Sequence, residues 1–169
     1  MKKTVKVIVS GDGGVGKTSF LNRLIHDNFD DNRELTKGVE FFSKILKING
    51  HEYNFVIWDF AGQNQFKHLL TDFVDGSIAA FILFDLSRIN TLESVEEWIK
   101  TLKANGNISS FIIGTKCDIV DLNECRVFDE YISDIVSRYN NIIGYLKISS
   151  KTGYNVKEAF NSLIRRIPN

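Results

Sequence analysis

Residues 11–19 read GDGGVGKTS, and they stand between an apolar run, 5–9, and a segment of helical periodicity, 18–26. A strand, a glycine-rich turn and then Gly-Lys-Thr opening a helix is the order typical of a phosphate-binding loop. Glycines let the chain turn tightly, so that backbone N–H groups converge on phosphate oxygens beside the positive end of the helix. Lys17 can then reach the β- and γ-phosphates, and the Thr18 hydroxyl can bind Mg²⁺. The sequence therefore predicts a site for a nucleoside triphosphate.

The predicted phosphate contacts are consecutive residues of this loop and of the first helical turn. They are Gly13, Gly14, Val15, Gly16, Lys17, Thr18 and Ser19. The alternative is a glycine-rich turn that binds nothing. The complete G-x-x-x-x-G-K-T pattern between a strand and a helix argues against that alternative, because a shorter glycine motif is much less specific.

The composition is that of one folded domain, and it gives no sign of a surface for polyanions. Of the 169 residues 43% are hydrophobic, and lysine plus arginine equal aspartate plus glutamate at 21 each. A net charge of zero argues against nucleic acid as the main partner. Cys117 and Cys125 lack the spacing of a metal site, and no apolar run approaches the roughly 20 residues that cross a bilayer. We expect a single domain over residues 1–169, monomeric and without a transmembrane segment.

The periodicity of the remaining chain predicts an α/β fold. Two β-rich runs, 39–48 and 53–59, flank the dipeptide Asn49-Gly50, which is the strongest short signal for a hairpin. The nearly continuous apolar run 78–86 is expected of a strand that is covered on both faces. We predict a mostly parallel sheet with helices on both faces and one antiparallel edge strand.

Polar and capping residues predict a loop and the starts of two helices. Residues 27–37 have no periodicity and predict a long loop, which in a compact domain is often functional. Asn90 and Asn155 each precede a glutamate by three positions, so both predict capping boxes at the starts of helices. The buried stripe predicted for the first of these helices is Val95, Trp98, Ile99 and Leu102.

Ligands of such sheets bind beyond the carboxyl ends of the strands, so the loops there hold the candidate residues. Asp59 ends the third predicted strand, where a carboxylate can hold Mg²⁺ directly or through water. Gly62 can offer its N–H to a γ-phosphate. The amide of Gln63 is then placed to orient an attacking water.

Two later loops predict that the base is guanine. Asp118 follows Thr115 and Lys116 after the fifth strand, and its carboxylate can accept two N–H bonds from one edge of guanine. Adenine presents no matching pair of donors. The Lys116 stem could cover the plane of the base. After the sixth strand come small residues whose backbone N–H groups could approach the base oxygen: Ser149, Ser150 and the adjoining Lys151.

In their order and spacing these motifs resemble the small GTPases of the Ras superfamily, and the Rab branch most closely. The resemblance covers nearly the whole chain. It implies the three-layer P-loop NTPase domain, with a six-stranded sheet whose second strand is the antiparallel edge. It also implies Mg²⁺ as cofactor, GTP or GDP as bound nucleotide, and effector proteins, an exchange factor and a GTPase-activating protein as partners.

Further roles follow from the same resemblance. Thr36 matches the threonine of the first switch, whose hydroxyl binds Mg²⁺ and whose backbone touches the γ-phosphate. Phe29 matches the aromatic residue that covers the guanine edge. The switch loops would then lie near 29–38 and 60–75. The aromatic residues that match the effector surface of Rab proteins are Phe41, Trp58 and Phe73.

The sequence departs from the family pattern at several positions. Thr115 stands where the family usually has asparagine, although Rho-type members also carry threonine there. Phe60 replaces the threonine of the Rab pattern beside the Mg²⁺ loop. The prenylated cysteines with which Rab members normally end have no counterpart. We therefore expect a cytoplasmic protein, or a peripheral membrane protein should a lipidated tail be missing from this chain.

A third departure is Arg33, which replaces the usual tyrosine of the first switch. It lies three residues before Thr36, the offset at which Gα subunits carry a built-in arginine finger. One hypothesis is that Arg33 acts in cis on the transferred phosphate. The other, which we favour, is a solvated surface arginine, because exposed charges usually have no specific role.

Together these residues predict a switch that hydrolyses GTP and cycles between GTP and GDP forms, in membrane traffic or related regulation. Lys17 and Gln63 are the predicted catalytic residues, with Arg33 as a further candidate, and Gly13 leaves room beside the reacting phosphate. One alternative is a nucleotide-locked GTP-binding module with little hydrolysis. Another is a small P-loop kinase or ATPase, against which Asp118 argues.

Overall fold

The computed structural model describes residues 2–62, 67–106 and 108–166, and within them strands and helices alternate. The strands are β1 (Lys2–Gly11), β2 (Val39–Ile48), β3 (His51–Phe60), β4 (Ala79–Asp85), β5 (Ser109–Thr115) and β6 (Ile142–Lys147). The helices are α1 (Lys17–His26), α2 (Lys67–Phe73), α3 (Ile89–Glu93), α4 (Val95–Ala104), α5 (Arg126–Arg138) and α6 (Val156–Ile164), with a 3-10 turn at Cys117–Ile119. No helix in the described ranges has both the length and the apolar character needed to cross a bilayer.

The strands form one sheet in the order β2-β3-β1-β4-β5-β6. Neighbouring strands are parallel except β2 and β3, which are antiparallel, and β2 lies at the edge. The predicted six-stranded, mostly parallel sheet with one antiparallel edge strand is therefore confirmed. Asn49 and Gly50, which join β2 to β3, both have positive φ, of 50° and 80°. A tight hairpin turn requires this conformation, and Asn-Gly adopts it at little cost.

The parallel register brings the carboxyl ends of several strands to one edge of the sheet. Val9 stands opposite Asp59, and Asp85 stands opposite Thr115. Because β1 lies between β3 and β4, the loop that begins after Gly11 starts between two strands that carry a carboxylate at or next to their last residue, Asp59 and Asp85. Groups that are far apart in sequence meet here because parallel strands all end on the same side.

An apolar core covers each face of the sheet. On one face α1 and α6 pack against inward side chains of the strands, as where Phe20 meets Phe81 with ring centroids 5.3 Å apart. On the other face α4 buries its predicted stripe of Val95, Trp98, Ile99 and Leu102. Every residue of β4 is buried, which explains its apolar run. Each large apolar side chain buried in this way contributes about 1.5–3 kcal/mol.

Both predicted capping boxes are wrong. Asn90 lies inside α3, and no side chain caps that helix. The Thr91 hydroxyl instead accepts the backbone N–H of Asp85 at 2.9 Å, so it joins α3 to the end of β4. Asn155 does precede α6, but its side-chain amide donates to the Lys147 carbonyl at 3.1 Å. In both cases a contact between elements has taken the place of the local cap.

Candidate functional site

A cleft of about 330 Å³ opens at the edge of the sheet where the parallel strands end. Its walls are the loop after β1 with the start of α1, the loop over residues 27–38, and the loops after β5 and β6. The volume lies at the lower end of the range for small-molecule sites, about 300–1,000 Å³. The predicted nucleotide residues that line this cleft are Gly13, Gly14, Gly16, Lys17, Thr18, Ser19, Phe29, Thr36, Gly62, Thr115, Lys116, Asp118, Ser150 and Lys151.

Two predicted nucleotide residues lie behind the wall of the cleft. Val15 is fully buried and its backbone carbonyl accepts a hydrogen bond from Thr115. Ser149 is also buried, and its hydroxyl accepts the backbone N–H of Thr152 at 3.1 Å. Both side chains therefore support the loops that line the cleft. Gln63 lies outside the described residues, so its role stays a prediction.

The Thr115 hydroxyl holds the phosphate-binding loop against the end of the sheet. Its oxygen lies 2.6 Å from the Val15 carbonyl oxygen and 3.0 Å from that of Phe84. All of these atoms are buried, so a lost hydrogen bond would leave a carbonyl without water to replace it. The threonine that departs from the family pattern thus has a definite contact in this chain.

Two further side chains hold the phosphate-binding loop, one from α4 and one from the turn between β4 and α3. The Arg88 guanidinium donates to the Gly13 carbonyl at 3.1 Å and to the Asp85 carboxylate at 2.9 Å. The indole N–H of Trp98 donates to the Asp12 carboxylate at 2.9 Å. With Thr115, three side chains from later parts of the chain therefore hold the phosphate-binding loop.

Gly62 approaches the phosphate-binding loop so closely that no other residue fits. A Cβ added at Gly62 would lie 2.1 Å from the Gly11 carbonyl oxygen and 2.5 Å from that of Asp12. Both distances are far below van der Waals contact, and both neighbours are backbone atoms. Glycine is consequently a steric requirement where the loop after β3 meets the loop after β1.

Lys17 lies on the floor of the cleft and is almost completely buried. Its ammonium group donates to the Gly11 carbonyl at 3.0 Å and to the Asp12 carbonyl at 2.9 Å. Burial lowers the pKa of Lys17 to about 8, although the charges of Asp59 and Asp12 act in the opposite direction. An anion in the cleft would favour the charged form, so this lysine is suited to bind phosphate.

Three oxygen-bearing side chains meet next to Lys17. The hydroxyl oxygens of Thr18 and Thr36 lie 2.6 Å apart, and Thr18 also donates to the Asp59 carboxylate. The second oxygen of Asp59 is buried without a hydrogen-bond partner among the described residues. Burial raises the pKa of Asp59 to about 6, against the opposing effects of the Thr18 hydrogen bond and the Lys17 charge.

This cluster has the composition of a site for a hard divalent cation. Hydroxyl and carboxylate oxygens are the ligands that Mg²⁺ prefers, and the unpartnered Asp59 oxygen is a buried acceptor of the kind a cation or its water would satisfy. The residues present therefore fit Mg²⁺. The Thr36 contact also ties the loop over residues 27–38 to the start of α1.

The opposite end of the cleft is lined by Asp118 and Lys116 from the loop after β5, by Phe29 from the loop over residues 27–38 and by Lys151 from the loop after β6. Lys116 has a left-handed backbone, with φ of 60°, and its ammonium group pairs with the Asp85 carboxylate at 2.7 Å. The Asp118 side chain is exposed. This wall has the groups that the sequence predicted for the base.

Asp85 connects the two ends of the cleft. Its buried carboxylate accepts hydrogen bonds from Arg88 and Ser87 and pairs with Lys116. Burial tends to raise the pKa of Asp85, but the hydrogen bonds from Lys116, Ser87 and Arg88 outweigh it, and the pKa is lowered. One carboxylate thereby links Lys116, at the base end of the cleft, to Arg88, which holds the phosphate-binding loop.

Arg33 lines the cleft, but its guanidinium pairs with Glu40. The distance from Nη2 to the Glu40 carboxylate is 2.9 Å, and the two side chains are 33% and 41% exposed. Glu40 stands opposite Asp59 in the β2–β3 pairing, so the pair lies near the oxygen cluster. Whether Arg33 takes part in hydrolysis stays a prediction.

The aromatic residues that resemble an effector surface form one cluster beside the cleft. The ring centroids of Phe41 and Trp58 are 4.7 Å apart, and those of Trp58 and Phe73 are 5.4 Å apart. Phe41 is 62% and Phe73 40% exposed. Phe60 is buried beneath them, with its ring 6.3 Å from that of Trp58. This phenylalanine therefore supports the aromatic cluster and does not line the cleft.

Sequence reasoning missed several residues of the site. Additional residues that line the cleft are Asp30, Asp31, Glu34, Leu35 and Ile119. Asp85, Arg88 and Trp98 support it from behind. The rule that ligands bind beyond strand ends also points to the loop after β4, and applying it there would have identified Asp85 and Arg88.

Comparison with known proteins gives a consistent result over the whole chain. Residues 6–169 match the sequence model of a family described as the Ras family. The Ras-related protein Rab-22A of Homo sapiens is 35% identical over 168 residues, which cover 98% of this chain and 84% of that protein. Ras-related protein Rab-31 of Rattus norvegicus is 35% identical over 170 residues, with the same coverage of 98% and 84%. Ras-related protein RABA5b of Arabidopsis thaliana is 32% identical over 166 residues, which cover 97% and 75%.

Proposed function

Because the chain belongs to the Rab branch of the Ras superfamily and is a small GTPase, we propose that it cycles between GTP-bound and GDP-bound forms in the cleft. The observation that carries this proposal is the meeting of Lys17 with the Thr18, Thr36 and Asp59 oxygens at one end of the cleft. Residues 1–169 would act as one switch domain in the cytoplasm, in membrane traffic or related regulation.

In this proposal the nucleotide lies along the cleft with its base and phosphates at opposite ends. Asp118 accepts two N–H bonds from guanine, Lys116 covers the base plane and Phe29 covers its edge. The phosphates lie on the backbone N–H groups of residues 13–19, beside the positive end of α1. Lys17 neutralises charge on the β- and γ-phosphates. Its contacts with two loop carbonyls support this role, because they already orient the ammonium group toward the loop.

Thr18, Thr36 and Asp59 would hold Mg²⁺, the last through water. When bound, the ion supplies positive charge to the phosphate oxygens. The unpartnered Asp59 oxygen supports this assignment.

Hydrolysis requires a water oxygen to bond to the γ-phosphorus while the bond from that phosphorus to the β–γ bridging oxygen breaks, which yields GDP and inorganic phosphate. Gln63 would orient this water, and Gly13 leaves space for it. Positioning and charge neutralisation account for most of the catalysis in such reactions.

The switch would work through the loop over residues 27–38. Its Thr36 contact lies at the γ-phosphate end, so loss of that phosphate removes a partner and releases the loop. Gly62 would act in the same way for the second switch. The aromatic cluster of Phe41, Trp58 and Phe73 would then present different surfaces to effector proteins in the two states.

The proposal is tested by identifying the nucleotide that the purified protein carries and following its conversion with and without Mg²⁺. We expect a guanine nucleotide, and single-turnover conversion of GTP to GDP that stops when Mg²⁺ is chelated. Bound GTP that never converts would instead indicate the nucleotide-locked module. A bound adenine nucleotide would contradict the role of Asp118.

The role of Gln63 is tested by Gln63→Leu, with Gln65→Leu as a matched control. We expect the first variant to hydrolyse GTP about tenfold or more slowly, because water would no longer be oriented. The control is expected to keep the wild-type rate. Equal rates for Gln63→Leu and wild type would rule out this role.

A further inference from the structure

Arg23 on α1 uses its whole guanidinium group to hold two loops. Nε donates to the Ser150 carbonyl at 2.7 Å, and Nη2 donates to the Lys151 carbonyl at 2.6 Å. Nη1 donates to the Asp27 carbonyl at 3.1 Å and lies 3.3 Å from its carboxylate. The side chain is 18% exposed, and its bond to the Ser150 carbonyl is partly buried, whereas the bonds to Lys151 and Asp27 are exposed to solvent. A planar guanidinium with this many directed donors fixes the orientation of the groups that it contacts.

The two loops that Arg23 holds both line the same end of the cleft. Ser150 and Lys151 form the wall after β6, and Asp27 begins the loop that carries Phe29. The carboxylate contact with Asp27 carries little of this effect, because that side chain is 78% exposed and the pair is screened by water. The bonds to backbone carbonyls are the ones that determine loop geometry.

Holding a carbonyl also orients the N–H group of the next residue, since both belong to one planar, trans peptide unit and point in opposite directions. The Ser150 carbonyl turns toward Arg23, so the N–H of Lys151 points away from α1. The following N–H, that of Thr152, already donates to the Ser149 hydroxyl. The Lys151 N–H is therefore the donor of this loop that Arg23 directs.

We propose that Arg23 is a positioning residue for recognition of the base oxygen. It holds the Ser150 carbonyl so that the Lys151 N–H is presented to the oxygen on the six-membered ring of guanine. This inference rests on the proposed function, because it takes the base to lie between the loops that begin at Asp27 and follow β6.

The test compares three diphosphates that differ in one group of the base. In 6-thio-GDP sulfur, a weak acceptor, replaces the oxygen that the Lys151 N–H would bind. IDP keeps this oxygen but lacks the amino group that Asp118 would bind. Dissociation constants for GDP and both analogues are measured with wild type, Arg23→Ala, Arg23→Lys and the control Asp27→Asn.

Wild type is expected to prefer GDP over 6-thio-GDP by about tenfold or more, as for a lost hydrogen bond in a closed site. Arg23→Ala should bind GDP about tenfold more weakly, should lose most of the preference over 6-thio-GDP, and should keep the preference over IDP. Arg23→Lys should resemble Arg23→Ala, because an ammonium group cannot hold two carbonyls in the fork geometry. Asp27→Asn should stay within about twofold of wild type, because it keeps the backbone carbonyl and tolerates the left-handed conformation, φ 52°.

The inference is overturned if wild type discriminates against 6-thio-GDP and both arginine variants keep the wild-type ratio. It is also overturned if the ratios for 6-thio-GDP and IDP fall together, since that result would mean general loosening of the cleft. Should Arg23→Ala fail to fold, the ratios of Arg23→Lys decide the question. If wild type itself binds GDP and 6-thio-GDP equally, the Lys151 N–H does not recognise the base oxygen and the inference fails, while a kept preference over IDP leaves the base site of the proposed function standing. If wild type binds GDP, 6-thio-GDP and IDP equally, the base site of the proposed function fails as well.

Discussion

The phosphate-binding loop and the loop over residues 27–38 face each other across the cleft, but they are held in different ways. Thr115, Arg88 and Trp98 hold the first loop from the sheet and from α4, through contacts that are buried or half-buried. The second loop is exposed over most of its length, and surface ion pairs such as Arg33–Glu40 hold it. Exposed pairs of this kind contribute about 0–1 kcal/mol each. One wall of the cleft is therefore a fixed frame, and the other depends more strongly on what is bound.

The loop over residues 27–38 also has a partly buried contact with the rest of the domain. Thr36 meets Thr18 beside the Asp59 carboxylate, at the position proposed for Mg²⁺ and the γ-phosphate. The loop is thus joined to the frame at the point where the two nucleotide states would differ. Such an arrangement lets the loop over residues 27–38 change conformation while the phosphate-binding loop stays in place.

The largest effect on the frame is expected from Asp85→Asn, which removes the carboxylate that joins Lys116 to Arg88. Their hydrogen bonds lower the pKa of Asp85 in the folded state, so its stabilising effect is present above the unfolded pKa, about 3.9. That effect is lost as the pH falls through the folded pKa. At pH 7 the variant should lose about 1–3 kcal/mol of the free energy of unfolding. Urea denaturation of both proteins at pH 7, 5 and 3.5 measures this difference, which should shrink at the lowest pH. A difference that does not change with pH would contradict the assigned role.

A somewhat smaller effect is expected from Thr115→Val, which keeps the shape of the side chain and removes its hydroxyl. The Val15 and Phe84 carbonyls would lose the one buried hydroxyl proton that they share, at a cost of about 1–2 kcal/mol. Release of a fluorescent GDP analogue should then become about tenfold faster, as measured by displacement with excess GDP. Thr115→Ser keeps the hydroxyl and is expected to release the analogue at nearly the wild-type rate. If Thr115→Val also releases the analogue at the wild-type rate, the hydrogen bond does not hold the loop.

Arg88→Ala tests the frame at a more exposed position. The variant loses the contact with the Gly13 carbonyl, and because the side chain is 40% exposed, water can replace part of it. We expect release of the same analogue to become about threefold to fivefold faster, which corresponds to about 1 kcal/mol. Ile89→Ala alters a neighbouring exposed side chain and serves as the control. If Arg88→Ala releases the analogue at the wild-type rate, Thr115 and Trp98 hold the loop without a contribution from Arg88.

The smallest effect is expected on the other wall, from Arg33→Ala. The arginine is partly exposed and paired with Glu40, so its removal should change the single-turnover rate of GTP hydrolysis less than about twofold. Glu40→Gln, which frees the arginine, should likewise leave the rate unchanged. A fall of about 10³-fold or more with Arg33→Ala would identify an arginine that acts in cis. In that case Glu40→Gln should raise the rate, and the loop would carry chemistry as well as a signal.

The sequence predicted the fold well because its strongest signals are local. Asn49-Gly50 predicted the hairpin, and the apolar run of β4 predicted a strand that is buried on both faces. The capping boxes at Asn90 and Asn155 failed for the opposite reason. The bond from the Asn155 amide to Lys147 lies between elements, and a spacing rule within one segment cannot detect it.

By itself the sequence determined the chemistry at the cleft. A lysine and a threonine after a glycine loop, a carboxylate at the end of β3 and an aspartate after β5 must meet wherever parallel strands end together, because that edge is common to all of them. Only the tertiary structure decided how these groups are held. Arg23, Arg88 and Trp98 bind atoms 75 to 128 positions away, and for the two arginines the acceptors are backbone carbonyls, which every residue carries. Such contacts leave no mark on the partner's side chain, so they become visible only when the chain is folded.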